Sequence, residues 1–271
     1  MRATVVVDNI AADGLSAEWG LCFYIEYGAL RILLDTGSSA LFAKNAESLK
    51  LPLEQVDAAV LSHAHYDHAN GMETFFKANG KAKFFLQESC AENCYSRKRY
   101  FFRKYIGLPR GVLNRYPDRI AFVSGKTELF SGVFLLPHST PVPEAVGKRD
   151  NLYILAGKKL LPDPFLHEQS LIFDTADGLV VFNSCSHGGA DRVVREAMEA
   201  FPGKAVHAVV GGFHLHNKTE AEVLAFADRL RETGVKIVYT GHCTGKESFR
   251  ILKGRLGSCV QQMHTGLVIE F

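Results

Sequence analysis

Asp57-Ala58-Ala59-Val60-Leu61-Ser62-His63-Ala64-His65-Tyr66-Asp67-His68 is the stretch that decides how this chain folds. Asp57–Leu61 is a short apolar run of the kind that forms a buried strand, and it leads straight into four potential metal ligands within six residues. In an extended segment His63 and His65 project to the same side and can grip one ion. Asp67 and His68, as the chain turns, can face a second. Imidazole and carboxylate donors suit Zn, Fe or Mn, and the absence of a thiolate cluster argues against a structural zinc finger. One or two divalent ions, Zn foremost, are therefore expected. A histidine-rich surface loop is the bland alternative; four ligands directly after a buried strand weigh against it.

Outward from this stretch, strands and helices mingle. Ala3–Val7 reads as a strand, and Leu21–Glu26 and Leu30–Asp35 as a hairpin around Tyr27-Gly28-Ala29. Ser39–Leu49 has helical spacing. Further on, Val133–Leu136 reads as a strand, as do Ser170–Asp174 and Leu179–Asn183, which turn at Asp177-Gly178. Helix Asp191–Ala200, strand Ala205–Val210, helix Thr219–Glu232, strand Lys236–Tyr239, helix Lys246–Leu256 and strand Gly266–Glu270 follow. This is an α/β pattern. It repeats once in topology. Strand, Asp35-Thr36-Gly37, helix, strand and His63-x-His65 are echoed by strand, Asn183-Ser184-Cys185-Ser186-His187, helix, strand and His214-x-His216. In both halves the metal-capable residues leave the carboxyl ends of strands, where α/β folds place their sites. Two similar halves facing a shared site are expected.

The 271 residues are 47% hydrophobic and carry a net charge of only +2, which excludes a disordered chain and one that is basic throughout. No stretch approaches the ~18 apolar residues of a membrane helix. The N-terminal apolar run stops at Asp8, too early for a secretory segment. Six sparse cysteines fit free thiols, so a cytoplasmic location is expected.

The His-x-His-x-Asp-His motif, preceded by Leu33-Leu34-Asp35-Thr36-Gly37, resembles the metallo-β-lactamase superfamily along nearly the whole chain. The resemblance implies one domain over residues 1–271, an αββα sandwich with a one- or two-metal site, and usually hydrolysis. Four further motifs recur in order: Glu168-Gln169-Ser170-Leu171, Ser184-Cys185-Ser186-His187-Gly188-Gly189, Gly211-Gly212-Phe213-His214-Leu215 and Thr240-Gly241-His242-Cys243-Thr244-Gly245. Together they resemble the subgroup named for 7,8-dihydropterin-6-methyl-4-(β-D-ribofuranosyl)aminobenzene-5′-phosphate synthase.

Carried over by position, the resemblance makes His63, His65, Asp67, His68, His187 and His242 metal ligands, with Asp35 orienting the ligand loop. The superfamily's Gly-His-Thr motif is missing; His167 and Glu168 stand before the second hairpin and Cys185 after it. Cys185 is either a bridging ligand or a buried structural thiol. His214 is either a substrate contact and proton donor or a scaffold histidine. His138 is a weaker candidate, and His167, His207, His216 and His264 read as structural or exposed.

Asn93–Pro117 holds seven basic residues and no acidic one, leaving the rest of the chain at −5. Tyr95, Tyr100, Phe101, Phe102 and Tyr105 interleave with Arg97, Lys98, Arg99, Arg103 and Lys104. We read residues 88–117 as a helical insert, either a lid for an anionic substrate or aromatics packed on the body with their charges in water. Single-stranded nucleic acid would use the same ingredients and is the weaker reading. Cys90 and Cys94 fall one helical turn apart and read as packing residues. Where the subgroup often has Ala-Glu-His-Gly-Leu-Ser, this chain has Ala17-Glu18-Trp19-Gly20-Leu21-Cys22, so Trp19 could stack on a planar substrate. The expected activity is metal-dependent hydrolysis of an ester or phosphoester of a small anionic molecule, with Asp67 orienting the nucleophile. A C–N bond-forming synthase and a non-catalytic metal sensor are the competing readings. No membrane partner is expected.

Overall fold

Strand Arg2–Val7 buries every side chain from Ala3 onward, the mark of a strand covered on both faces. It belongs to a seven-stranded sheet in the order Val268–Glu270, Arg2–Val7, Cys22–Tyr27, Leu30–Leu34, Ala58–Val60, Lys83–Gln87, Ile120–Val123. The structure is a computed structural model and describes residues 1–98 and 102–271, with the backbone alone for residues 98 and 102. Arg99, Tyr100 and Phe101, named above in the basic segment, lie outside the described residues.

The chain divides into two compact units. The first comprises Met1–Val123, Ser139–Glu168 and His264–Phe271. Its hairpin Cys22–Tyr27/Leu30–Leu34 pairs Tyr27 with Leu30, and Gly28 supplies the left-handed turn at φ 60°. From Leu30–Leu34 onward the sheet is parallel through Ala58–Val60, Lys83–Gln87 and Ile120–Val123. Helices Leu41–Ser48 and Met72–Ala78 contribute Phe42, Phe75 and Phe76 to the core that covers it. Phe75 meets Phe84 edge-on at 5.7 Å between ring centroids. Strand Ala58–Val60 has parallel neighbours on both sides, and the ligand loop begins at its carboxyl end.

A smaller four-stranded antiparallel sheet joins the same unit, in the order Lys159–Pro162, Leu152–Ala156, Cys94–Lys98, Phe102–Tyr105. This corrects the helical reading of the basic segment. Tyr95 lies opposite Tyr105, with their rings edge to face at 5.4 Å, a cross-strand aromatic pair that favours strand over helix. Arg97 lies opposite Arg103, a like-charge pairing that costs energy. Stacking offsets it: Arg97 sits over Tyr153 at 6.0 Å and Arg103 over Tyr95 at 5.5 Å. Cys90 and Cys94 consequently share no helix face.

The second unit comprises Ser124–His138 and Gln169–Met263. Its sheet runs Val260–Gln262, Ile237–Thr240, Val206–Gly212, Gly178–Cys185, Gln169–Thr175, Val133–Pro137, Thr127–Phe130. Here too an antiparallel hairpin, Gln169–Thr175/Gly178–Cys185, passes into parallel strands. Helices Ala190–Ala200 and Glu220–Glu232 alternate with those strands, and Thr219 caps the latter in a reciprocal capping box with Glu222. Each unit thus runs hairpin, helix, strand, helix, strand, so the topological repeat expected from sequence is present.

Candidate metal centre

The chain leaves Val60, bends through Ser62–Ala64 and enters the short helix Tyr66–Ala69, so the ligand motif curls rather than extends. His63, His65, Asp67 and His68 are all buried. The curl brings the rings together: His63 lies 4.7 Å from His65 and 4.2 Å from His68 between centroids. Asp67 Oδ2 stands 3.9 Å from His68 Nε2.

Asp35, fully buried in the left-handed region at φ 62°, organises this loop. Its Oδ1 accepts from the Ser62 backbone N–H at 2.8 Å, and its Oδ2 accepts from the Ser62 hydroxyl at 2.7 Å. Oδ2 also lies 2.8 Å from His68 Nδ1. With its proton committed to Asp35, the Ser62 hydroxyl oxygen, 2.9 Å from His63 Nδ1, is the acceptor in that contact. Both histidines therefore carry their proton on Nδ1, which makes Nε2 the coordinating nitrogen in each. Burial lowers the pKa of His65, against the pull of nearby Asp163, and favours the neutral imidazole that a metal needs. Buried imidazoles and a carboxylate, oriented from behind, are donor types that suit Zn, Fe or Mn.

Trp19 is half exposed, and its indole Nε1–H donates to Asp67 Oδ2 at 2.8 Å. The ring expected to meet substrate is thus also tied to a candidate ligand. Arg97, Arg103 and Lys104 are exposed on the small sheet, and Lys104 Nζ sits 5.5 Å over the ring of Tyr66 inside the ligand motif.

Sequence reasoning missed a cluster behind His65. The buried side chains of His65, Cys94, Asp163 and His167 bring one ligand-type atom each to within 4.8 Å of one another. Burial pushes the Asp163 carboxyl up, but the imidazoles of His167 and His65 outweigh it and hold it well below the usual range. The spacing Asp163-x-x-x-His167 is the one sequence signal that could have drawn attention to it.

In the second unit, Cys185 and His187 leave the end of strand Gly178–Cys185, His214 follows strand Val206–Gly212, and His242 opens a short helical turn after Ile237–Thr240. The rings of His187 and His214 lie 4.7 Å apart. Cys185 and Cys243 meet at 3.2 Å between sulfurs, and the His214 backbone N–H donates to the Cys243 sulfur at 3.2 Å. Burial pushes the Cys243 thiol up; the hydrogen bonds from Cys185 and His214 and the nearby His242 imidazole hold it well below its ordinary range. The two glycines before Phe213 make this approach possible. A Cβ at Gly211 would fall 1.8 Å from the Asn183 carbonyl oxygen, and one at Gly212 would fall 2.6 Å from the Cys243 sulfur. His138 is a scaffold residue, bonded to Glu196 at 2.8 Å and to Ser170 at 2.6 Å.

No helix among the described residues is long and apolar enough to cross a membrane. Residues 20–148 match the model of the metallo-beta-lactamase superfamily. A protein of Methanocaldococcus jannaschii named 7,8-dihydropterin-6-methyl-4-(beta-D-ribofuranosyl)-aminobenzene-5′-phosphate synthase is 26% identical, with 98% of each chain covered. Among solved structures, Tm1679, described as a metal-dependent hydrolase of the beta-lactamase superfamily, superposes with a TM-score of 0.84. It is 29% identical, and the match covers 100% of this chain and 99% of that one. Zn(2+)-bound PqqB from Methylobacterium extorquens shares the fold at a TM-score of 0.60 and 11% identity, with both chains covered almost entirely. By its match over residues 20–148 and its superposition along the whole chain, the protein has the metallo-β-lactamase fold and carries the superfamily's His-x-His-x-Asp-His motif.

Proposed function

We propose that the protein is a metal-dependent hydrolase acting on an ester or phosphoester of a small anionic substrate. The observation that supports this best is the ligand loop: three imidazoles and Asp67 are buried side by side, and a single carboxylate sets the proton positions of His63 and His68. The first unit offers His63, His65, Asp67 and His68 as ligands, and the second offers Cys185, His187 and His242. One or two divalent ions are implied, zinc foremost, with iron or manganese suited to the same donors. When bound, such an ion would lower the pKa of water and polarise the carbonyl or phosphoryl oxygen of the substrate.

The chain's own residues supply the rest. Asp67, fixed by the Trp19 N–H, is a carboxylate with a set direction for orienting the attacking water. The exposed indole face can stack on a planar substrate, and Arg97, Arg103 and Lys104 would neutralise an anionic one. His214 is the candidate proton donor. The reading places the protein in the cytoplasm, where its thiols stay reduced. The test is His63→Ala/His65→Ala in the full chain, with elemental analysis and a panel of phosphorylated and ester substrates. Both metal content and turnover should be lost; unchanged turnover refutes the proposal.

Similarity to the M. jannaschii synthase along 98% of both chains favours a second reading, a synthase joining a dihydropterin donor to an aryl amine. Incubating the two substrates with the protein separates the readings, because a hydrolase forms no C–N bond.

A further inference from the structure

The loop that carries Trp19 is fastened by a carboxylate held in a cup of backbone N–H groups. Oε1 of Glu18 accepts from the N–H of Ser38 at 2.9 Å and from that of Ser39 at 3.1 Å. Its Oε2 accepts from the Ser39 hydroxyl at 2.6 Å. Successive N–H groups beside a left-handed residue form such an anion-binding cup, and Gly37 is that residue, at φ 69°. A Cβ at Gly37 would fall 2.6 Å from Glu18 Oε1, so the glycine leaves the room that the carboxylate fills. Beyond Trp19 the chain is tied down separately. The Gly20 N–H donates to the Asn9 side-chain oxygen at 3.3 Å, and the Leu21 N–H donates to the Asp67 carbonyl at 3.2 Å. A Cβ on Gly20 would meet that carbonyl oxygen at 2.8 Å and the Ser38 nitrogen at 2.9 Å. On the near side of Trp19, Glu18 has one long backbone bond, to the Asp8 carbonyl at 3.3 Å, besides its three side-chain bonds.

We propose that Glu18 is a positioning residue for ligand choice: its carboxylate latches the loop to Ser38 and Ser39, holds the Trp19 ring beside Asp67, and so makes the centre prefer a planar anion over a non-planar one of equal charge. A half-exposed side chain on a loose loop changes rotamer within picoseconds to nanoseconds. Stacking on such a ring costs the entropy of ordering it, and a ring ordered beforehand avoids that cost. The bond from the indole N–H to Asp67 fixes one edge of the ring; the latch fixes the backbone from which the ring hangs. The proposal rests on the reading of an anionic substrate at the ligand loop, and one of its readouts needs neither metal nor substrate.

The experiment uses the full chain as wild type, Glu18→Ala and Glu18→Gln. Gln keeps both backbone bonds through its amide oxygen and can donate its amide N–H to Ser39 Oγ; Ala loses all three. Trp19 is the one tryptophan of the chain, so tryptophan fluorescence reports on this loop alone. Time-resolved anisotropy of metal-free protein should show overall tumbling in the wild type and in Glu18→Gln, with an added nanosecond component in Glu18→Ala. The second readout is calorimetric binding of phenylphosphonate and of ethylphosphonate at saturating Zn²⁺, two anions with no ester bond to cleave. The wild type and Glu18→Gln should prefer the phenyl compound by at least about fivefold, the low end of what stacking on an aromatic side chain is worth. Glu18→Ala should lose that preference, whereas a general loosening of the fold would weaken both anions alike and keep the ratio. Should Glu18→Ala not fold, Ser39→Ala removes the shortest of the three bonds and carries the same test with a smaller effect. Unchanged Trp19 anisotropy in the latch variant, a phenyl preference that survives in it, or equal affinity for the two anions in the wild type overturns the proposal. A wild type that binds neither phosphonate, with Trp19 freed in Glu18→Ala, would instead refute the reading of an anionic substrate and leave the latch standing.

Discussion

Substituting Asp35 by Asn removes a charge and little else, and its consequence can be worked out atom by atom. Asn tolerates the left-handed backbone that Asp35 occupies at φ 62°. The amide oxygen can keep the Ser62 N–H bond now made by Oδ1. The amide nitrogen then replaces Oδ2, which receives the Ser62 hydroxyl at 2.7 Å and faces His68 Nδ1 at 2.8 Å. Two donors meet a donor. The Ser62 proton must swing toward His63 Nδ1, and His68 must accept at its own Nδ1. Both imidazoles then carry their proton on Nε2, the nitrogen a metal needs. Each lost hydrogen bond to a charged group is worth about 1.5–3 kcal/mol, so two together cost about 3–6 kcal/mol. At about 1.4 kcal/mol per tenfold, Zn²⁺ should bind about 10²- to 10⁴-fold more weakly. The assay is chelator competition on metal-free Asp35→Asn, with Co²⁺ absorption reporting the number of nitrogen ligands. Affinity within about threefold of the wild type would show that Asp35 does not set the two tautomers.

Trp19→Phe keeps an aromatic face but loses the N–H donated to Asp67; metal affinity should drop about 10- to 100-fold while KM for a planar substrate holds, as chelator competition and steady-state kinetics would show. Gly211→Ala puts a Cβ 1.8 Å from the Asn183 carbonyl oxygen at a backbone φ of 147°, so the second unit should lose more than about 3 kcal/mol, read as a lower denaturation midpoint. Burial pushes the Cys90 thiol up to about 12, leaving a thiolate fraction of about 10⁻⁴ at pH 8. Iodoacetamide should therefore label half-buried Cys259 first and reach Cys90 only on unfolding, by peptide mass mapping. The same shift has a sign: burial of the neutral thiol favours folding below about pH 8.5, and that contribution fades as pH rises toward 12.

What could be read from sequence was local. The hairpin around Gly28, the strand that feeds the ligand motif and the Thr219-capped helix each declare themselves within a few residues, and all three stand where expected. The basic segment did not. Its spacing of aromatics fits a helix as well as a strand, and what decides for strand is Leu152–Ala156, which pairs Tyr153 with Tyr95 from far along the chain. His167 was opaque for the same reason. Its contacts are the Ala64 N–H, the Asp163 carboxylate and the Cys94 sulfur, and only folding assembles them. His214 and His242 both occupy left-handed backbone, at φ 50° and 47°, a strain no residue pattern announces.

The small sheet and the ligand loop are one mechanical piece, which bears on how substrate choice and metal binding interact. Tyr66, between ligands His65 and Asp67, donates its N–H to the Ile106 carbonyl at 2.8 Å, and Ile106 returns a bond to Cys94 at 3.0 Å. Lys104 covers the Tyr66 ring from the same sheet. Cys94 begins strand Cys94–Lys98 and Asp163 follows strand Lys159–Pro162, so two members of the cluster behind His65 sit at the sheet's root. Charge and position along the sheet therefore separate two effects. Arg97 and Arg103 stack on rings of the sheet itself, so replacing them should weaken the capture of an anionic substrate and leave the ligands in place. A change at the root moves the backbone of the ligand loop through Ile106, and must alter metal affinity even when every charge is kept. A variant series that lowered affinity for substrate and metal in constant proportion from sheet edge to root would contradict this division.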